Sequence, residues 1–286
     1  MANELDNTSQ AAEIPEQWRP RFISRFYDEG KVFPRVMNVT EDFKGKGDIA
    51  HLTVEGFDLT VNNVQSDGTL TVQTQTLSDP TITVDKWKDV TNEWIGKTRE
   101  QAYGIWEKQF PTSAGNAVRQ QMEADLLGLY ASGTLTAQGD GTSYAGEDEL
   151  LGALNQFLDG KLPLMENPDD FTVILDTKNW TSIKKLGLLD YDKTGASGDG
   201  GAATQKIGKL WNVPVIFTTQ CTSTGGIRKG LFMHKTALAA AVQRNVSPRF
   251  ADRLAGGKDS YIGTVTALYG VAAIVAGRYG VINTKA

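Results

Sequence analysis

The stretch from Pro111 to Gly133, PTSAGNAVRQQMEADLLGLYASG, constrains the fold more than any other part of the chain. Val118, Met122, Leu126, Leu129 and Tyr130 recur at spacings of three and four, which places them on one face of a helix and predicts that the face is buried. Ala117, Ala124, Gly128 and Ala131 form a second stripe of small residues, where another backbone is expected to come close. Arg119, Gln120, Glu123 and Asp125 supply polar edges. Pro111, Thr112 and Ser113 suit the first turn, and Gly133 suits a left-handed turn at the end. Such a helix divides an extended front third from a compact back half.

A chain of 286 residues can bury one large core or two moderate ones without disulfides. Its single cysteine, Cys221, ends the apolar run VPVIFTTQC, can build neither a disulfide framework nor a thiolate zinc site within one chain, and reads as a partly buried structural residue. The opening MANELDNTSQAAEIPEQW has no basic flank and no apolar core, and no apolar run is long enough to span a bilayer. The expectation is a soluble chain made in a cytoplasm, in which sequons such as Asn38-Val39-Thr40 carry no glycosylation argument. A net charge of −5 excludes the whole-chain basic footprint that duplex nucleic acid attracts.

Residues 1–13 are polar, whereas Ile14 to Val36 carry Trp18, Phe22, Ile23, Phe26, Tyr27, Val32 and Phe33 in a short span rich in Arg and Pro. This segment reads as an arm lying along the body or along a neighbouring subunit, or as an ordinary amino-terminal helix and strand. From Gly45 to Val84 the pattern changes to period two, with Leu52, Val54, Phe57, Leu59, Val61, Leu70, Val72, Ile82 and Val84 alternating with polar residues. Asp67-Gly68 signals a hairpin turn. Between about Leu59 and Thr76 the hairpin is rich in Thr and Gln, so one face has little of its own chain to cover and the hairpin is expected to project. Trp87, Val90, Trp94 and Ile95 lead back to the body, followed by a helix with Ala102, Tyr103, Trp106 and Phe110 on one face.

Behind the long helix, TLTAQGDGTSYAG marks a domain boundary by its composition. The back half alternates helix and strand: a helix from Glu147 to Leu158, the strand FTVIL, a helix from Asp176 to Leu186, and a flexible loop from Asp190 to Ala203. Then come the strands VPVIFTT and GLFMH, an Ala-rich segment TALAAAV, and a strand-like stretch from Ile262 to Ile282.

No catalytic, cofactor-binding or metal-binding residues emerge. His51, at a strand start, and His234, at a strand end, lie in different halves and outside any ligand spacing. Gly198 to Ala203 contains a GxGxxA spacing without the preceding buried strand that a dinucleotide loop needs. Ser182 and Lys185 form an SxxK, but the Lys193-Thr194-Gly195 element lies too close in sequence and no SDN element accompanies them. The chain is not expected to be an enzyme or to need a cofactor.

The order of elements resembles the major capsid proteins of tailed bacteriophages over nearly the whole chain. The arm ending near VFPRV, the two-stranded loop returning through TLSDPTITVDKWKDVTNEW, and the helix AVRQQMEADLLGLYASG carry the front of the resemblance. FTVILDTKNWTSIKKL, GKLWNVPVIFTT, GLFMHKTALAAAVQR and YGVAAIVAGRYGVI carry the back. The resemblance implies an α+β phage coat fold with an N-terminal arm (1–36), an extended loop with flanking strands (37–91) and a peripheral domain with a long spine helix (92–135). It further implies an axial domain (136–235), a return through the peripheral domain (236–264) and closing axial strands (265–286).

By the same resemblance the chain is a coat protein whose hexamers and pentamers close into an icosahedral shell around double-stranded DNA, without sequence-specific binding and without a membrane. It is then a virion protein assembled in the bacterial host cytoplasm. The early start of the arm implies a separate scaffolding protein, alongside a portal and a possible decoration protein. Lys44, Lys46 and Asn283 match no motif that would carry over the cross-linking of some relatives. An encapsulin-like cellular shell and a phage tail or decoration protein stand as alternatives.

Overall fold

Two β-sheets and the layers packed on them account for most of the buried apolar residues. The computed structural model describes residues 31–43, 47–52, 61–64, 70, 72, 73, 79–95, 105–159, 162, 164, 166–185, 208–210, 212–255 and 258–286. The first sheet has the order β1-β10-β11-β4, formed by Met37–Asn38 (β1), Lys86–Ile95 (β4), Leu238–Ala255 (β10) and Lys258–Ala273 (β11). β10 and β11 are long antiparallel partners, and β11 pairs in turn with β4 from Tyr269↔Lys86 to Ser260↔Ile95. β11 runs unbroken through residues 264 and 265, on either side of the boundary that the resemblance implies.

The second sheet has the order β12-β9-β5-β7-β6, with a short strand β8 also on β9. Its members are Phe171–Asp176 (β5), Gly208–Leu210 (β6), Val213–Thr218 (β7), Thr222–Thr224 (β8), Ile227–His234 (β9) and Tyr279–Lys285 (β12). β5 and β7 are parallel, and all six residues of β5 are buried. A strand buried on both sides needs a near-continuous apolar run, which FTVIL supplies. On one side Val173 and Leu175 meet the helix Glu147–Asp159 (α2) through Leu150, Leu154 and Phe157. On the other, Ile174 and Ile216 meet Leu126 and Leu127 at the end of the spine helix.

That spine helix, Ile105–Leu127 (α1), is one continuous element in which the two helices expected before and after Pro111 are joined. A proline inside a helix removes one hydrogen bond and costs about 3 kcal/mol. Burial of Phe110, Ala114, Val118, Met122 and Leu126 along the same face outweighs that cost, at roughly 1.5–3 kcal/mol for each large side chain. The predicted apolar face is thus the buried one, with Leu129 and Tyr130 half-buried in the 3-10 turn that follows. The stripe of small residues behaves otherwise: Ala117, Gly128 and Ala131 are exposed, and no atom lies within 4 Å of a Cβ built on Gly128.

Gly133 is extended (φ −70°, ψ 141°) and not left-handed. Its lack of a side chain serves a close approach, since a Cβ there would meet Tyr279 O at 2.8 Å and the Tyr279 ring at 3.0 Å. The segment after it, TLTAQGDG, docks along β12 through Leu135 N–H to Tyr279 O, Gln138 N–H to Val281 O and Asn283 N–H to Gln138 O. Asn179, the first residue of the short helix Asn179–Lys185 (α3), is fully buried and ties these parts together. Its Oδ1 accepts from Ala145 N–H at 2.9 Å, and its Nδ2 donates to Thr284 Oγ1 and to Asp176 O.

The Ala-rich segment is a strand despite the helical preference of alanine. Ala239, Ala240 and Ala241 are fully buried at the start of β10, where both faces are covered at close range. Leu238 and Ala240 face the spine-helix core, and Ala239 and Ala241 face a core of Val39, Phe43, Leu52, Ile82 and Val84. Only small side chains fit between two such layers.

Candidate assembly surface

Among the described residues no three His, Cys, Asp or Glu side chains converge on a common point, and no helix is long and apolar enough to cross a membrane. Cys221 is buried, more deeply than its sequence context suggested. His51 ends the strand Ile49–His51 (β2), rather than beginning one, and its Nδ1 lies 2.8 Å from Asp79 Oδ2 in solvent. His234 ends β9 as expected. Ser182 and Lys185 share α3, while Lys193 to Gly195 and the Gly198–Ala203 loop lie outside the described residues. The features that remain are surfaces.

The first is the end of the arm. Residues 31–43 lie against the chain's own body: Val32 is fully buried on the spine helix, β1 runs parallel to β10, and Val39 N–H donates to Ala240 O. Val32 N–H donates to Glu123 Oε1 at 2.6 Å, so a carboxylate on the polar edge of the helix, itself 2% exposed, serves as the anchor. Two residues further along, Asp125 accepts from Tyr269 Oη at 2.7 Å and from Gln121 Nε2 at 2.8 Å, with Lys86 Nζ at 3.7 Å. Burial, reinforced by the bond to Asp125, pushes the Tyr269 phenol well above its usual ionisation range. The sequence marked Glu123 and Asp125 only as polar edges; nothing in their spacing signals partners 91 and 144 residues away. Residues 1–30 of the arm lie outside the described residues.

The second surface is the extended loop. Its base is the ribbon of β2 with Thr81–Thr83 (β3), which packs Ile82 and Leu52 onto β10 and β11. β3 crosses β11 so closely that a side chain on Gly270 would overlap the Thr83 carbonyl. Beyond the base the expected ladder does not continue among the described residues: Val61 to Val64, Leu70, Val72 and Gln73 carry no strand. Asp67-Gly68 and much of the rest lie outside them. The apolar side chains among the described residues beyond the base are exposed: Val61 is 96% exposed, Val72 89%, Leu70 69% and Val64 62%.

The third is the outer edge of β4, which has no partner strand among the described residues and carries Trp87 at 68% exposure beside the loop base. On the opposite face of the same strand, Trp94 is buried edge-on against Phe110 at 5.2 Å, so β4 spends one tryptophan on its own core and leaves the other outside. Apolar side chains exposed on an extended loop and on an edge strand are the pattern of surfaces covered by a partner.

No protein-family model matches the chain, and no curated protein matches it by sequence. Solved structures do match. A protein of Mycobacterium phage Che8 superposes with a TM-score of 0.69 at 17% identity, over 94% of this chain and 96% of that one. The capsid structure of cyanophage P-SCSP1u gives a TM-score of 0.65 at 12% identity over 99% and 96%. The capsid of an empty GTA particle gives 0.66 at 11% over 96% of both. The chain therefore has the α+β coat fold of tailed-phage capsids.

Proposed function

We propose that the chain is a major capsid protein that associates as hexamers and pentamers into an icosahedral shell enclosing a phage genome. Agreement of fold with phage and GTA capsids along nearly the whole of both chains carries this reading. The exposed Val61, Val64, Leu70 and Val72 support it, because a subunit whose loop apolar groups stay in water has contacts to make with neighbours. The role is structural rather than catalytic. The chain's net charge of −5 suits a container that encloses double-stranded DNA without gripping it, since each phosphate contact would need a cation.

The proposed division keeps the arm (1–36), extended loop (37–91), peripheral domain (92–135 and 236–264) and axial domain (136–235 and 265–286), with β11 shared across the last boundary. The four-stranded sheet with α1 supports the peripheral unit, and the six-stranded sheet with α2 and α3 supports the axial one. A separate scaffolding protein, a portal and a possible decoration protein complete the proposed partners, in a virion assembled in the host cytoplasm. No observation favours the cellular-shell or tail readings.

Replacing the loop tip, Asn62 to Gly68, by a short Gly-Ser linker tests this reading. Far-ultraviolet circular dichroism is expected to stay unchanged while closed shells disappear. Shells of normal size and yield after the replacement would count against it.

A further inference from the structure

The two sheets are joined by two short crossovers that lie side by side. Residues 235–237 connect β9 to β10, and residues 274–278 connect β11 to β12. Ile274 and Val275 both donate their N–H to Ala237 O, and Ala237 N–H donates to His234 O. A second set of bonds ties the same two crossovers through side chains. Arg278 Nη1 lies 2.6 Å from Thr236 Oγ1, which lies 2.8 Å from His234 Nδ1.

The direction of this relay follows from the backbone N–H of Thr236, which can only donate and points at His234 Nδ1 at 3.3 Å. With Nδ1 an acceptor, the Thr236 hydroxyl accepts from Arg278, which can only donate, and turns its own hydrogen to Nδ1. Nδ1 is thus an acceptor twice over, and His234 is the neutral imidazole with its proton on Nε2. We propose that His234, Thr236 and Arg278 form an acid-sensitive latch between the two sheets, closed while His234 is neutral and released when it takes a proton.

Protonation would leave Thr236 N–H without its acceptor and bring two cations, His234 and Arg278, onto one hydroxyl oxygen. The charged neighbours do not relieve this. Lys235 adds a third cation, and Asp170, the facing carboxylate, is already paired with Lys235 Nζ at 2.8 Å. His234 is 9% exposed, and its ring packs edge-on against Phe171 at 4.8 Å. Arg35 and Asp169, with Pro34, Met37 and Thr172, line an open groove that reaches Thr236 and Lys235, which gives water a route to the latch.

Burial first, then Arg278 and Lys235, hold the His234 ionisation below the usual 6.5, with Asp170 opposing. The sign follows from linkage. A histidine depressed in the folded chain contributes stability that is fully present above its unfolded value, near 6.5, and is lost as pH falls through the lower folded value.

Hydrogen exchange of the full-length protein from pH 7.5 to 5, corrected for intrinsic rates, tests the latch. The wild type is expected to lose protection at Thr236, Ala237, Ile274 and Val275 below pH ~6.5, by at most about tenfold per pH unit, the limit for one proton. Amides of β5 should hold, which separates local release from unfolding. His234→Asn, whose Oδ1 replaces the acceptor without titrating, should flatten the profile, and Thr236→Val should raise exchange at pH 7.5 already. His234→Gln serves as a second non-titrating variant if the asparagine protein does not fold. A wild-type profile that is flat, or a non-titrating variant that keeps the wild-type pH dependence, overturns the proposal, as does Thr236→Val with unchanged exchange.

Discussion

The backbone N–H of Val32 donates to Glu123 Oε1 across 2.6 Å, joining the end of the arm to the C-terminal part of the spine helix. Both residues are buried, so a backbone donor and a carboxylate that would each be costly alone satisfy one another. Glu123→Ala is expected to destabilise the subunit by about 1–3 kcal/mol, the cost of stranding a buried donor, and Glu123→Gln by less, since an acceptor remains. Urea midpoints of the purified subunit measure both. Equal stability of the alanine variant and the wild type would show that the anchor contributes nothing.

Asn179 holds the segment after the spine helix, the end of β5 and β12 through three hydrogen bonds made by one buried side chain. Asn179→Ala should cost about 2–3 kcal/mol, because Ala145 N–H and Thr284 Oγ1 lose their partner inside the protein. A thermal unfolding midpoint within a degree of wild type would contradict this.

Two glycines give opposite expectations. Gly270→Ala places a methyl group against the Thr83 carbonyl where β3 crosses β11, and overpacking of this kind costs about 1–3 kcal/mol. Gly128→Ala meets open space, and should be neutral or stabilising by up to about 1 kcal/mol. Denaturation of the two variants in parallel reads the difference. If Gly270→Ala is the milder change, the loop base does not sit on the sheet as described.

The exposed loop valines separate folding from association. Val61→Lys combined with Val72→Lys removes no buried area from the single chain, so its stability should lie within about 0.5 kcal/mol of wild type. Sedimentation velocity should nonetheless show the loss of large assemblies. Assemblies of normal size would mean that these side chains meet no neighbour.

Much of this was legible in the sequence wherever burial imposes a period. The buried face of the spine helix, the fully buried FTVIL strand and the α2 helix follow from spacing alone. Pro111 misled, because a local start signal yields when the residues on both sides pack on one sheet. Ala239 to Ala241 were unreadable for a related reason: alanine reports that space is small, not which backbone occupies it. Glu123 and Arg278 owe their roles to partners far away in the chain, and no short-range pattern encodes them.

Electron microscopy of the purified full-length protein, expressed alone and then with a candidate scaffolding protein, tests the proposed coat function most directly. The account predicts closed, uniform, angular shells in at least the second condition. Monomers or small oligomers under both conditions would contradict it, and would leave the coat fold without a coat's function.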